Sequence, residues 1–447
     1  MVERKEYLER LKLWKDEQVI KVVTGIRRCG KSTLLMQYQD YLKQSGVDAD
    51  RIIAINFEEL EYEELCDYKK LYEYIKARLS SDKTTYIFLD EIQKVPYFEK
   101  VVDSLYVKQG TDIYITGSNA YMLSGDLATL LSGRYVEISM LPLSFAEYLQ
   151  VNSKDKDGAF ADYMRYGGMP FIATAEKTEE KITTYLEGIY NTVIVKDIED
   201  RQKRKEWDNS DTGRITDISL LKTIAKYLSS VIGSLVTVRS ITNYLVSSGR
   251  KISPNTVSDY VNALTESFIF YPAERFDIVG KQLLKTNTKY YMVDLGIRNL
   301  ILPKKSYDLG FSVENVVYFE LLRRGYKVSG GKYGNTEIDF VAERNGELEY
   351  IQVTADMTAK ETFDRELAPL TTIKDNYRKR VLTLDKFTVG NYDGIEVKNV
   401  VEWLTDKAAR LHSQTGGVLY SVVFDFGDKL YHTADKPFVF ICHWGYL

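Results

Sequence analysis

The chain has 447 residues, of which 44% are hydrophobic and 28% charged, so it resembles folded globular protein with roughly two to four domains and not a disordered or fibrous chain. Its formal net charge of -4 excludes a protein that coats nucleic acid by bulk charge and leaves only local basic patches for such contacts. The three cysteines, Cys29, Cys66 and Cys442, lie far apart without CxxC spacing and indicate neither a disulfide framework nor a zinc site.

Residues 1–14, MVERKEYLERLKLW, are charged and amphipathic and do not predict a signal peptide. No uninterrupted apolar run is long enough to cross a bilayer. We therefore expect a cytoplasmic protein without a membrane partner.

A nucleotide-binding loop is predicted where an apolar strand, Val19–Val23, meets a helical stretch. Glycines allow backbone N–H groups to approach phosphate, and the helix N-terminus adds positive potential. Lys31 is expected to reach the terminal phosphates and Ser32 to bind magnesium, so the loop predicts ATP and Mg²⁺ as cofactors. The predicted nucleotide-binding residues are Gly25, Ile26, Arg27, Arg28, Cys29, Gly30, Lys31, Ser32 and Thr33.

A second apolar strand, TTYIFLDEIQ, ends in two acids, Asp90 and Glu91. In a parallel sheet the carboxyl ends of the strands are where phosphates bind. We expect Asp90 to hold magnesium through water and Glu91 to polarise the attacking water, a role that needs a carboxylate near the metal but not bound to it. Lys31 and Glu91 are thus the first two catalytic candidates.

Apolar strands alternate with helical segments over residues 16–150, the predicted ATPase domain. Besides the two strands already named, the segments are RIIAINF, DIYITGSN and YVEISM. This alternation predicts an α/β fold in which helices cover both faces of a parallel sheet. The extra strand between the loop and the acidic strand resembles the AAA+ group of ATPases.

The resemblance to the AAA+ group implies two further catalytic residues. In that group a polar residue at the end of the fourth strand senses the γ-phosphate, which here points to Asn119 with Ser118 beside it; a strand-end turn is the alternative. Ring-forming AAA+ proteins place an arginine finger just before the fifth strand, where this chain has Arg134. An ordinary ion pair is the alternative for Arg134, so a homo-oligomer is left open.

Helical segments dominate the next part of the chain. Residues 155–200 are predicted to form a helical lid. The basic run Arg201, Lys203, Arg204 and Lys205 follows it. We interpret this run as a solvated linker, with phosphate contact as the alternative.

Residues 213–292 are predicted to form a winged-helix-like domain of three helices and a hairpin wing that carries Lys281, Lys285 and Lys289. Ser253 is the expected cap of the third helix, with Pro254 in its first turn. The apolar stripe of this helix comprises Val257, Tyr260, Val261, Leu264 and Phe268, opposite Asn255, Thr256 and Asn262. DNA contact and a packing role are both open, because Asp259 and Glu266 weaken the case for DNA.

Motifs from about Trp14 to about Leu404 resemble, in order, those of a prokaryotic AAA+-like ATPase family. They are GIRRCGKSTLL, FLDEIQ, ITGSNAYMLSG, LLSGRY, LPLSFAEYL, YGGMP and VDLGIRN. The resemblance implies a C-terminal domain of unknown function, here residues 293–405, that looks like a restriction-endonuclease (PD-(D/E)xK) fold. Residues 406–447 match nothing and stay unassigned.

The same resemblance implies a vestigial nuclease site at Glu314, Asp339 and Gln352. Glu314 and Asp339 match the helix acid and the strand acid of active nucleases. Gln352 and Thr354 stand where an active member has Glu-x-Lys, and a missing lysine removes the usual cation beside the scissile phosphate. The domain is therefore interpreted as an inactive relic used for binding.

The leading hypothesis is an ATP-hydrolysing switch or weak motor that acts on double-stranded DNA. The first alternative is a regulatory, signalling-type ATPase that uses the same downstream modules to hold a protein partner. The second is an ATP-dependent nuclease, which requires that Asp339 support metal-dependent cleavage.

Overall fold

The structure is a computed structural model that describes residues 2–117, 131, 133–197, 215, 217–302 and 308–406. Asn119 with Ser118, the basic run from Arg201 to Lys205, and the segment 407–447 lie outside the described residues. None of the helices in the described ranges combines the length and the apolar character needed to cross a membrane.

The first part of the chain alternates strands with helices. Its strands are β1 (Ile20–Thr24), β2 (Ile52–Asn56), β3 (Thr85–Asp90), β4 (Thr111–Gly117) and β5 (Tyr135–Ser139). Its α-helices are α1 (Lys5–Leu13), α2 (Lys31–Gln44), α3 (Tyr68–Lys76), α4 (Phe98–Tyr106) and α5 (Phe145–Leu149). Short 3-10 helices lie at Ala49–Arg51, Leu60–Cys66 and Ile92–Lys94.

The five strands form one sheet in the order β2-β3-β4-β1-β5, and every pair is parallel. β4 therefore lies between the strand that leads into the predicted nucleotide loop and the acidic strand. The predicted α/β fold class with an AAA+-like parallel sheet is confirmed, and further helical and α/β regions follow this sheet.

Both faces of this sheet are buried, because helices pack on each of them. Along β1, Ile20 and Val22 belong to one hydrophobic core, whereas Val23 belongs to a second core on the other face. Strands buried on both faces read as nearly continuous apolar runs, which explains why the strand segments were recognisable in the sequence.

The middle of the chain is mainly helical. Its helices are α6 (Lys156–Tyr166), α7 (Pro170–Thr174), α8 (Glu179–Asn191), α9 (Ile218–Ser230), α10 (Val238–Ser247) and α11 (Pro254–Glu266), and α8 continues as a π-helix over Thr192–Asp197. In α11 the Ser253 hydroxyl accepts a hydrogen bond from the Thr256 N–H at 3.1 Å, as its capping role predicts. The apolar stripe of α11 faces inward, and Asn255 and Asn262 are exposed.

A nine-stranded sheet occupies the rest of the described chain, in the order β13-β14-β12-β11-β10-β9-β7-β8-β6. Its strands are β6 (Leu235–Val236), β7 (Phe270–Asp277), β8 (Gln282–Met292), β9 (Lys327–Tyr333), β10 (Thr336–Arg344), β11 (Glu347–Thr354), β12 (Arg378–Thr383), β13 (Gly390–Tyr392) and β14 (Ile395–Asn399). Its helices are α12 (Leu295–Ile301), α13 (Leu309–Arg323), α14 (Lys360–Thr372) and α15 (Val400–Thr405).

The hairpin β7–β8 is continuous with the C-terminal strands, because β7 pairs with β9 in parallel. Strands from both sides of the boundary that we predicted between residues 292 and 293 thus belong to one sheet. The division of the chain into a winged-helix-like and a nuclease-like domain stays a prediction.

Two of the sequence motifs, YGGMP and VDLGIRN, meet at a buried carboxylate. Asp294 caps α12 by accepting a hydrogen bond from the Ile297 N–H at 3.2 Å, and it also accepts one from the Gly168 N–H at 2.7 Å. Gly167 has φ 82°, and a Cβ added there would lie 2.1 Å from an Asp294 oxygen. The close approach requires glycine and joins the segment after α6 to the start of α12.

Burial raises the pKa of Asp294 to about 6, above its ordinary value of 3.8, although backbone N–H groups oppose the shift. Because the folded state keeps this proton at a pH where the unfolded chain has lost it, the contribution of Asp294 to stability falls as pH rises from about 4 to about 6. We expect the difference in unfolding free energy between the wild type and Asp294→Asn to fall by roughly 1 kcal/mol between pH 5 and pH 7. Urea unfolding at both pH values measures it, and a difference that does not change would contradict the assignment.

Candidate functional site

The predicted nucleotide loop connects the end of β1 to the first residue of α2. Its first glycine, Gly25, lies so close to the residue that follows β5 that an added Cβ would be 2.1 Å from the Met140 carbonyl oxygen. Its last glycine, Gly30, has φ 107°, a left-handed conformation that favours glycine, and it precedes the helix as the N-cap. The loop is thus shaped by its two glycines and lies at the carboxyl edge of the sheet, in front of a helix N-terminus.

Lys31 is the first residue of α2 and is buried, with 4% of its surface exposed. Its ammonium group donates to the carbonyl oxygens of Gly25 at 3.1 Å and Ile26 at 3.5 Å. The same group lies 3.6 Å from a carboxylate oxygen of Glu91. Lys31 therefore lies between the loop and the acidic strand, and its role at the phosphates stays a prediction.

The two acids at the end of β3 are held by a threonine that the sequence analysis did not single out. The Thr116 hydroxyl on β4 donates to the Asp90 carboxylate and accepts a hydrogen bond from the Glu91 N–H at 2.8 Å. Only the position of β4 between β1 and β3 brings Thr116 to this point. A polar residue near the end of a buried apolar strand was the available sequence signal.

Asp90 also accepts a hydrogen bond from Ser32, so the two predicted magnesium ligands are adjacent. Burial raises the pKa of Asp90 above its ordinary value, against the lowering effect of these hydroxyls. One carboxylate and one hydroxyl are oxygen donors of the kind that Mg²⁺ prefers when nucleotide phosphates supply further ligands. The residues present therefore fit a magnesium ion shared with bound ATP.

Glu91 follows Asp90 in a left-handed conformation, with φ 54°, which is uncommon for a residue with a side chain. Only 6% of the residue is exposed, and its carboxylate accepts a hydrogen bond from the Gln93 side-chain amide. The unusual backbone turns the side chain back towards Lys31 instead of continuing the strand. Gln93 was not predicted as a site residue.

The remaining loop residues make contacts with neighbouring elements. Arg27 lies 3.5 Å from Glu58, and the Arg28 guanidinium lies 5.4 Å from the centre of the Tyr185 ring on α8. The Cys29 thiol is fully buried. Arg28 thus connects the loop to the predicted lid.

Arg134 lies just before β5, at the amino ends of the strands and opposite the nucleotide loop. Its carbonyl oxygen accepts the Ile20 N–H at the start of β1, so the length of the strand, roughly 15 Å, separates it from its own loop. Its guanidinium is 3.9 Å from Asp103 and stacks 5.2 Å from the ring centre of Tyr106. A role as an arginine finger for a second copy stays a prediction, as does the role of Asn119.

The three residues of the predicted vestigial nuclease site also come together. Asp339 on β10 accepts a hydrogen bond from the Val353 N–H at 2.8 Å, and its own N–H donates to the Gln352 side chain at 3.2 Å. Glu314 on α13 and Asp339 both lie beside Lys289, at 3.0 and 3.6 Å from its ammonium nitrogen. A lysine thus lies among the acids, delivered by β8 and not by β11.

Lys289, which we predicted as part of the hairpin wing, is a buried residue. Only 1% of the residue is exposed, and Glu337 also binds its ammonium group, at 2.9 Å. The Tyr291 hydroxyl donates to Glu314 at 2.7 Å and completes the cluster. β8 lies between β7 and β6 in the nine-stranded sheet, and Lys289 lies on the side of this sheet where α13 supplies Glu314.

The charges of this cluster are strongly coupled. Burial lowers the pKa of Lys289, but the carboxylates of Glu314, Asp339 and Glu337 outweigh burial and hold the pKa above its ordinary value. Burial raises the pKa of Glu314 to about 7, against the lowering effect of Lys289. Among the described residues, no group of three or more His, Cys, Asp or Glu side chains is arranged to hold a metal ion.

The phosphate loop, the buried lysine at the start of α2 and the paired acids at the end of β3 define a P-loop ATPase domain of the AAA type. In agreement, residues 17–149 match the family described as AAA domain, and residues 157–308 match a domain of unknown function, DUF8612.

The chain is 41% identical over 410 residues to an uncharacterized protein of Haemophilus influenzae, an alignment that covers 90% of this chain and 98% of the relative. The chain belongs to the family of that protein. It is also 27% identical over 419 residues to the uncharacterized protein MJ1544 of Methanocaldococcus jannaschii, covering 86% of this chain and 88% of the relative. Among solved structures it is similar to the Walker-type ATPase PABY2304 of Pyrococcus abyssi, with 15% identity and a TM-score of 0.42, covering 67% of this chain and 96% of that one.

Proposed function

We propose that this protein is an ATP-hydrolysing switch, or weak motor, that acts on double-stranded DNA. The observation that carries the ATP half is the convergence of Lys31, Asp90 and Glu91 at one edge of the parallel sheet. Hydrolysis of a phosphoanhydride needs charge stabilisation and a positioned water molecule, and these residue types supply both.

Each residue has a separate task in this proposal. Lys31 holds the terminal phosphates, and Ser32 with Asp90 holds Mg²⁺, which neutralises phosphate charge when bound. Glu91 accepts the proton of the attacking water, and the Gln93 amide orients its carboxylate. Because Lys31, Asp90 and Glu91 are each at least 90% buried, few bulk water molecules compete at this position.

The switch half rests on contacts that connect the loop to the rest of the chain. Arg28 stacks on Tyr185 of α8, and the Pro170 ring at the start of α7 lies 3.9 Å from the position of a Cβ added to Gly30. The segment before α7 is tied to α12 through the hydrogen bond between Gly168 and Asp294. Packed residues therefore connect the phosphate site to α12 and the C-terminal sheet, and a change at the phosphates is transmitted through these contacts.

The DNA half is supported by the outer face of α11. Asn255 and Asn262 are exposed on this helix, and Lys251, close to its N-terminus, is exposed as well. Amide side chains bind base edges or phosphates, and a lysine at this place adds positive charge to a face on which Asp259 and Glu266 lie in line with the two asparagines.

Lys251→Ala is expected to weaken binding to duplex DNA and to lower the slope of log K against log salt by about 1, because one phosphate contact is lost. Fluorescence anisotropy of a labelled duplex at several salt concentrations, with and without ATP, measures both quantities. Lys374→Ala is the matched control, since it removes another exposed lysine from the far part of the chain.

Three results separate the possibilities. Binding that depends on salt, on ATP and on Lys251 but not on Lys374 supports the proposal. Equal losses of duplex affinity in Lys251→Ala and Lys374→Ala would mean that DNA binding depends only on the net charge of the protein. No duplex binding by the wild type at low salt would overturn the DNA half and leave the ATPase half intact.

A regulatory ATPase with a protein partner is the second candidate. A cavity of about 890 Å³ opens between the lid helices and the C-terminal part, and its lining includes none of the predicted site residues. Its apolar lining includes Phe160, Met164, Ile182, Leu186 and Leu300. Apolar recesses of this kind accept side chains of protein partners, so the cavity favours a protein partner. The acids of the predicted nuclease site are paired with Lys289, which does not favour a nuclease.

A further inference from the structure

The segment before the predicted ATPase domain reaches into the nucleotide loop. Arg4 is the N-cap of α1 and precedes the part of the chain to which we assigned the nucleotide site. It is nevertheless one of the most deeply buried charged residues, with 2% of its surface exposed. A guanidinium is expensive to bury, so its surroundings must satisfy its N–H groups.

Three different elements satisfy the Arg4 guanidinium. Its Nη1 donates to the Cys29 carbonyl oxygen of the nucleotide loop at 3.0 Å, and its Nη2 donates to the Leu141 carbonyl oxygen at 2.7 Å. Its Nε binds the Glu147 carboxylate of α5 at 2.8 Å. The centre of the Tyr7 ring lies 4.8 Å from the guanidinium carbon of Arg4. The Tyr7 hydroxyl accepts a hydrogen bond from the Leu141 N–H at 3.1 Å.

The contact with Cys29 fixes the orientation of one peptide plane. A trans peptide holds its C=O and the following N–H in opposite directions, so the bond from Arg4 to the Cys29 oxygen also sets the direction of the Gly30 N–H. Gly30 has φ 107°, and glycine allows more than one orientation of this peptide. A hydrogen-bond donor to the Cys29 carbonyl oxygen is therefore needed to keep the Gly30 N–H pointing in the opposite direction.

We propose that Arg4 is a positioning residue of the nucleotide site, which holds the peptide between Cys29 and Gly30 so that the Gly30 N–H faces the phosphates of ATP. This inference rests on the proposed ATP hydrolysis. The Glu147 carboxylate fixes the guanidinium from the opposite side, so that the planar fork keeps one orientation. Lysine carries the same charge but cannot reach the three partners at once.

A structural role for α1 is the competing explanation, and Arg10 provides the matched control. Arg10 lies on the same helix, packs 5.5 Å from the centre of the same Tyr7 ring and donates to the Arg323 carbonyl oxygen at 3.0 Å. It touches no residue of the nucleotide loop in these contacts. A variant at Arg10 thus weakens the packing of α1 without changing the peptide before Gly30.

The experiment compares Arg4→Ala, Arg4→Lys and Arg10→Ala in the full chain, with Mg²⁺ present. Isothermal calorimetry gives the Kd for ATP, phosphate release gives KM and kcat, and thermal unfolding reports stability. Arg4→Ala is expected to raise Kd and KM about tenfold or more, as expected for a lost hydrogen bond to a charged group, with kcat within about twofold. Arg4→Lys, which keeps the charge, is expected to show most of this loss, and Arg10→Ala to change Kd less than about twofold even if Tm falls.

Millimolar guanidinium ion provides a further test, because it can occupy the space left by Arg4→Ala. Recovery of ATP affinity in Arg4→Ala but not in Arg4→Lys supports the positioning role. An ATP Kd in both Arg4 variants within twofold of the wild type, or an equal loss in Arg10→Ala, would overturn it. If Arg4→Ala does not fold, the Arg4→Lys measurement decides. Absence of ATP binding by the wild type would overturn the proposed function instead.

Discussion

Glu91→Gln is expected to lower the rate of phosphate release from ATP by roughly a thousandfold while leaving the affinity for ATP within a few-fold of the wild type. The amide keeps the size of the side chain but cannot accept the proton of the attacking water. The loss should therefore appear in kcat and not in Kd, which a phosphate-release assay at saturating ATP and a separate binding titration distinguish.

Glu73→Gln is the matched control for this prediction. Glu73 is an exposed glutamate on α3 in the same sheet domain, and its carboxylate lies 3.6 Å from the ammonium group of Lys76 on the same helix. Turnover of Glu73→Gln at the wild-type rate, beside a slow Glu91→Gln, assigns the effect to the site. Wild-type turnover by Glu91→Gln would move the catalytic base elsewhere and remove the central step of the proposal.

Lys289→Met is expected to destabilise the protein by about 3–5 kcal/mol at neutral pH, because it leaves Glu314, Asp339 and Glu337 without the cation that they share. Breaking one side of a buried ion pair costs more than the pair contributes, since the remaining charge stays out of water. Urea unfolding of the full chain measures the change.

Three comparisons make this prediction specific. Lys281→Met alters an exposed lysine on the same hairpin and should change stability by about 0.5 kcal/mol or less. Adding Glu314→Gln to Lys289→Met should recover part of the loss, because one unpaired carboxylate disappears. A stable Lys289→Met variant whose Tm rises with Mg²⁺ or Mn²⁺ would contradict our interpretation, since it would indicate a cation site that the lysine only occupies.

The nucleotide site could be predicted from the sequence because its residues are tied to local chain geometry. Lys31 and Ser32 follow a glycine at the start of a helix, and Asp90 and Glu91 follow an apolar strand. Parallel strands place their carboxyl ends at one edge of the sheet, so two short local patterns were sufficient to predict that these residues lie close together. The α/β class followed from the same alternation of strands and helices.

Other contacts depend on strand order and on packing between distant segments, which local patterns do not encode. Thr116 reaches the acids only because β4 lies between β1 and β3, and Arg4 reaches the loop only because α1 packs against α2, the helix that follows the loop. Lys289 was predicted as part of a hairpin wing, and the acids that surround it, Glu314, Glu337 and Asp339, are distant from it in the sequence.

The sequence by itself thus determined the class of the ATPase domain and predicted candidate residues for its nucleotide site, through spacing and periodicity that act over a few residues. The tertiary structure decided that the hairpin is part of a nine-stranded sheet, that Lys289 faces inward to three carboxylates, and that Arg4 holds the loop. The physical reason is that the groups around a buried charge decide whether the charge is paired and stable. Those groups come from segments tens to hundreds of residues away in the chain.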